Sequence, residues 1–104
     1  MKITGTPTNY GFETEGKWLD PSETPTEGML GTMSVGSDSY GILVTHVYTP
    51  KKIAIACINE DGTVWDSAIY TKRRNGQWQK QGESNHYTGH ISFGRAIWYR
   101  DPSF

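Results

Sequence analysis

The stretch Ile53-Ala54-Ile55-Ala56-Cys57-Ile58, followed at once by Asn59-Glu60-Asp61-Gly62, decides the fold class of this chain of 104 residues. An unbroken apolar run of this length suits a central strand covered on both faces. The Asp-Gly pair behind it is a strong short-range hairpin signal, because a tight turn needs the positive φ that these residues tolerate.

Strand and turn signals continue outward on both sides. Upstream, Met29 to Val35 reads as a strand, Gly36-Ser37-Asp38-Ser39 as a tight turn, and Tyr40 to Tyr48 as a long strand with β-branched residues on both faces. Thr49-Pro50-Lys51-Lys52 turns the chain into the apolar run. Downstream, Thr63 to Lys72 sets Val64, Asp66, Ala68 and Tyr70 against Trp65, Ser67, Ile69 and Thr71. Asn75-Gly76 makes a second hairpin turn, Gln77 to Gln81 returns, Gly82 to Thr88 is loop, and Gly89 to Phe93 is a last strand before the tail. The expected fold is all-β: an antiparallel meander of about six strands, curled into a small barrel or sandwich so that its edges are not left open.

Residues 1–28 are punctuated too often by Pro and Gly for a long regular element. They read as an extended arm anchored by Tyr10, Phe12, Trp18 and Leu19, lying along the body or a neighbouring subunit, with Asp20 capping one helical turn at Pro21. Residues 29–104 form the β-domain with a docked C-terminal tail. The arm carries five acids and two lysines, whereas the rest carries eight Lys or Arg and six acids, so −3 stands beside +2 in a net charge of −1. That balance gives no global field for nucleic acid or an anionic membrane. The longest apolar run is far short of the ~20 residues of a spanning helix, and no signal peptide is expected from the opening residues. Cys57 is the single cysteine, within an apolar run, and reads as a small buried side chain in a reducing cytosol. No metal or organic cofactor is expected.

Two constellations carry candidate chemistry. Lys72-Arg73-Arg74, with Lys80 and Trp78 beside it, has the residue types of a phosphate-binding patch with a stacking ring. The same residues also solvate a hairpin tip, which is the plainer reading. The tail sets Arg95 and Arg100 among Phe93, Trp98, Tyr99 and Phe104, a set complementary to a nucleotide's phosphates and base. Its plainer reading is an aromatic plug with Arg100 and Asp101 paired at the surface. His46, His86 and His90 lack metal-ligand spacing, and they leave a small metal-independent ribonuclease as a lesser alternative. Phosphate-loop, nucleophile-elbow and dinucleotide motifs are missing, so binding without turnover is favoured over catalysis.

The ending Gly94-Arg95, then Trp98-Tyr99-Arg100-Asp101-Pro102-Ser103-Phe104, resembles that of many small phage-encoded proteins, in which Gly and Arg precede Tyr-x-Asp-Pro-Ser-Phe. Gly36-Ser37-Asp38-Ser39-Tyr40 and Arg74-Asn75-Gly76-Gln77-Trp78 look similar to segments of the same group. Some of its members are Thoeris anti-defence sponge proteins, which hold cyclic ADP-ribose-type signals or cyclic oligonucleotides in oligomers without cleaving them. The resemblance implies a counter-defence role in the cytoplasm of an infected bacterium, a nucleotide signal as ligand and a homo-oligomer. It makes Arg95, Tyr99, Arg100, Asp101 and Phe104 candidates for closing a pocket. Here Arg95 directly follows Gly94 and Ala96 stands where the Arg is expected, and the acidic arm has no counterpart. The rival expectation is a protein-interaction module docking on a host defence complex through that arm.

Overall fold

The apolar run forms the strand Lys52–Ile58, which lies between Asp38–Thr49 and Val64–Lys72 in an antiparallel sheet. Ile53, Ile55 and Cys57 face one side and Ala56 and Ile58 the other, and none of the five is more than 4% exposed. Burying each of these isoleucines contributes roughly 1.5 to 3 kcal/mol, so this strand anchors two cores at once. The computed structural model describes residues 2–9, 11–82 and 90–100. Among these, nine strands make up the fold: β1 (Thr6–Pro7), β2 (Gly11–Glu13), β3 (Leu30–Val35), β4 (Asp38–Thr49), β5 (Lys52–Ile58), β6 (Val64–Lys72), β7 (Trp78–Lys80), β8 (His90–Phe93) and β9 (Ile97–Tyr99). Every pairing is antiparallel, and no helix occurs among the described residues.

Consecutive hairpins join β3 through β7, and β8 returns to pair with β3. The six strands from β3 to β8 therefore curl around a first core of Met33, Ile42, Ile53, Ile55, Tyr70 and their neighbours. Strands β7 and β8 are not paired among the described residues; the rings of Trp78 and Phe93 meet at 6.1 Å between them, and the sheet stops short of a closed barrel. Chain from the N-terminal segment bridges this seam. Leu19 N–H donates to Phe93 O at 2.9 Å, and Lys72 Nζ donates to Pro21 O at 2.7 Å.

The sheet's other face carries the second core, where Trp98, Ala96 and Ile3 cover Ala56 and Ile58. Strands β1, β2 and β9 were not expected as strands. At two or three residues each they are too short to show alternation, and they exist because β9 pairs with β2 and, through Tyr99 and Ser39, with β4. The N-terminal segment thus lies along the body. Gly94, at φ 107°, passes so close to the Lys17 carbonyl that a Cβ there would collide with it. Asp20 does cap a turn, accepting from Ser22 N–H at 2.9 Å, but no helix follows. The first hairpin turn is tighter than expected: Val35 pairs with Asp38 around Gly36-Ser37, so Asp38 and Ser39 belong to β4. The loop expected to end at Thr88 lies, from residue 83 on, outside the described residues, as do Asp101 and Phe104.

Candidate ligand-binding site

Two of the tail residues singled out from sequence are committed to internal contacts. The Trp98 indole N–H donates to Ile58 O at 2.7 Å, and the ring, 8% exposed, lies directly on Gly41, where any side chain would strike it. Arg95 pairs with Glu13 at 3.0 Å and sits 5.6 Å from the centroid of Trp18. Around it, Thr32 Oγ1 donates to Arg95 O at 2.8 Å and accepts from Ile97 N–H at 3.0 Å, which ties the crossing chain to β3. These contacts make Arg95 a clamp between the N-terminal segment and β9. A hollow of about 580 Å³ does open beside Ile97 and Tyr99, with Thr8, Asn9 and Glu13 as its other walls. Glu13, the charged group among the described walls, is held in the ion pair with Arg95.

A different constellation forms where β4 begins. Alternation puts Asp38, Tyr40 and Ile42 on the first-core face, with the ring of Tyr40 at the rim above Cys57. A β-bulge in β6, between the pairs Cys57–Asp66 and Ile58–Val64, leaves Trp65 as the extra residue and re-aims its side chain. Its ring meets Tyr40 edge to face at 5.4 Å and 71°, and Trp65 remains 50% exposed. Arg100 follows Tyr99, the residue that pairs with Ser39, and its positive charge acts on Tyr40.

The electrostatics of the rim are specific. Burial, then the charge of Asp38 and its hydrogen bond, push the Tyr40 phenol up, while Arg100 pulls it down. Tyr40 OH donates to Asp38 Oδ2 at 3.4 Å, a long contact, and the other carboxylate oxygen, Oδ1, is buried with no hydrogen-bond partner. A buried acceptor left unpaired is costly, and it fits a donor arriving from outside the chain. Below the rim the Cys57 thiol is pushed up to about 11 by burial and by Asp66, with Lys80 opposing. Lys80 and Asp66 form a 3.7 Å ion pair at the edge. The rim therefore offers an exposed ring for stacking, a guanidinium for an anion and a free acceptor for a hydroxyl or amine.

The basic hairpin lies elsewhere. Arg73 and Arg74 project from the turn after β6, beside the start of β5, whereas Arg100 is beyond the end of β5, about 20 Å away at strand rise. Lys72 is held by Pro21 O, and its ammonium stands 5.8 Å from the centroid of Trp78, a ring only 6% exposed in the first core. Of the histidines, His46 and His90 fall at opposite ends of β4, the latter through its pairing with Ser34, and His86 lies outside the described residues. No group of three His, Cys, Asp or Glu able to hold a metal occurs among the described residues. Sequence reasoning missed Asp38, Tyr40 and Trp65. The signal available was two ring-bearing residues in strands separated by one, but only the bulge brings the rings into contact, edge to face. Comparison with protein families, curated proteins and solved structures finds no match for the chain.

Proposed function

We propose that this protein binds a small nucleotide-class anion at the Asp38–Tyr40–Trp65–Arg100 rim and retains it without chemical turnover. The observation that carries the reading is the coincidence, at one place, of a half-exposed indole, a cation and a buried carboxylate oxygen without a donor. Those groups complement a base, a phosphate and a ribose hydroxyl or exocyclic amine in turn. Retention without cleavage follows the resemblance of the tail to sponge proteins, as do a counter-defence role in a bacterial cytoplasm and assembly into a homo-oligomer. Arg100 supplies the anion contact from the tail, while Arg95 and Trp98 position β9.

Thermal unfolding with cyclic ADP-ribose and cyclic dinucleotides tests this. A ligand present at a hundred times its Kd stabilises by about 2.7 kcal/mol, which raises Tm by roughly 10 °C or more in a domain of this size. Intact ligand should be recovered on heating. Arg100→Ala removes a charge-assisted contact and should weaken retention by about ten- to a hundredfold. No stabilisation by any of these nucleotides, or release of a cleaved product, would count against the proposal.

A second reading, docking of a protein partner, is favoured by one observation. Strand β7 pairs only with Tyr70–Lys72, so the Val64–Ser67 edge of β6 has no neighbouring strand among the described residues, and Val64 is 57% exposed. Such an edge offers backbone groups and apolar side chains together.

A further inference from the structure

Two hairpin tips more than twenty residues apart in the chain meet at one end of the sheet, opposite to the rim. Lys52 pairs with Thr71, and Lys72 N–H donates to Lys51 O at 2.8 Å, which sets the Pro50-Lys51 turn beside the turn that carries Arg73 and Arg74. Lys51, Arg73 and Arg74 are exposed and Lys52 is half-buried. No ion pair engages any of the four among the described residues.

Charge is segregated here despite the net charge of −1. The stretches Ser39 to Ile58 and Ser67 to Gly82 contain six Lys or Arg (Lys51, Lys52, Lys72, Arg73, Arg74, Lys80) and no Asp or Glu. Acidic groups reach this basic set only at its margins: Asp66 pairs with Lys80 at 3.7 Å, and Asp20 of the N-terminal segment feels the charge of Lys72. That contact lies on the first-core side, with Trp78, and takes Lys72 out of the exposed set.

The opposite face of the same end carries rings. Two register shifts in β4, between Val44 and His46 and between Val47 and Thr49, accompany exposed His46 and Tyr48. Their rings meet edge to face at 4.5 Å, and Lys52 Nζ stands 5.4 Å from the Tyr48 centroid. Tyr48 is 50% exposed. His46 pairs with Ala54, which shares a face with Ala56, yet it lies beyond the part of that face that Trp98 covers.

We infer that this end of the sheet binds single-stranded nucleic acid, with Lys51, Lys52, Arg73 and Arg74 meeting phosphates and Tyr48 and His46 stacking on bases. Cations track a phosphate backbone, and rings standing clear of the surface engage bases that a duplex would keep stacked and paired. The site is separate from the rim and does not depend on the function proposed for it.

Fluorescence anisotropy of a labelled twelve-nucleotide oligothymidine with the full chain, in 20 to 200 mM NaCl, tests the inference. Four phosphate contacts predict that log K falls with log salt at a slope of about −2.8. Arg73→Ala with Arg74→Ala should reduce that slope to about −1.4. Tyr48→Ala should weaken binding about tenfold and leave the slope unchanged. Circular dichroism of each variant confirms the fold. No anisotropy change at 20 mM salt overturns the inference. So does binding that the arginine and tyrosine variants leave intact, or equal affinity for a twelve-base-pair duplex with Tyr48→Ala silent, which would reduce the surface to unspecific attraction of anions.

Discussion

Trp98 and Trp65 stand on opposite sides of two neighbouring residues of β4. Trp98 lies on Gly41, is 8% exposed and has its indole N–H bound to Ile58 O; Trp65 meets the ring of Tyr40 and is 50% exposed. The same residue type thus does two jobs against adjacent residues of one strand. A ring sealed over glycine with its one donor satisfied contributes burial and packing. A ring lifted by a bulge contributes little to the core and keeps its face available for another molecule. Tryptophan in the sequence therefore says less than the backbone beneath it.

The largest expected effect comes from breaking the sealed side. Trp98→Ala removes the cover of the second core and leaves Ile58 O without its donor, so urea unfolding should show a loss of about 3 to 5 kcal/mol. A loss under about 1 kcal/mol would mean that the ring is not what holds β9 in place.

A smaller effect measures how dry the floor beneath the open side is. The Cys57 thiol is pushed from its ordinary value of 9.0 to about 11, mainly by burial. Between those values the unfolded chain releases a proton that the folded chain keeps, so stability falls as pH rises from about 9 and levels off above about 11. The change is at most about 3 kcal/mol. Tyr40, raised for the same principal reason, acts in the same direction at higher pH. Cys57→Ala should flatten the profile between pH 8 and 10.5, and unfolding curves that keep the wild-type slope would show that the floor is wet.

The smallest effect on stability belongs to the exposed ring. Trp65→Ala should change unfolding by about 0.5 kcal/mol or less. The same variant should lose about tenfold in nucleotide retention if the ring stacks on a base. A large loss of stability would erase the contrast with Trp98.

The antiparallel frame was legible because its signals are local. Asp61-Gly62 and Asn75-Gly76 lie at hairpin turns, both glycines at positive φ, and the Ile53 to Ile58 run lies between two strands with both faces covered. Strands β1, β2 and β9 were not legible, since pairing such as Phe12 with Trp98 joins residues from the two ends of the chain and leaves no periodic trace. The candidate site failed for a related reason. Strict alternation puts Trp65 opposite Val64 and Asp66, and only the register shift turns its ring toward Tyr40. Lys51 and Lys52 read as an ordinary turn until the pairing of Lys52 with Thr71 places them next to Arg73 and Arg74.

The pairing of Gly11 with Tyr99 links residues 88 positions apart and sets the order in which the protein can be completed. On a ribosome, β3 to β7 can zip as successive neighbours while the N-terminal strands wait without a partner. They gain one only when the chain through Tyr99 has emerged. Until then Ala56 and Ile58 lack the lid that Trp98 and Ile3 provide, so the nascent protein passes through a stage with one core made and the other bare to the cell.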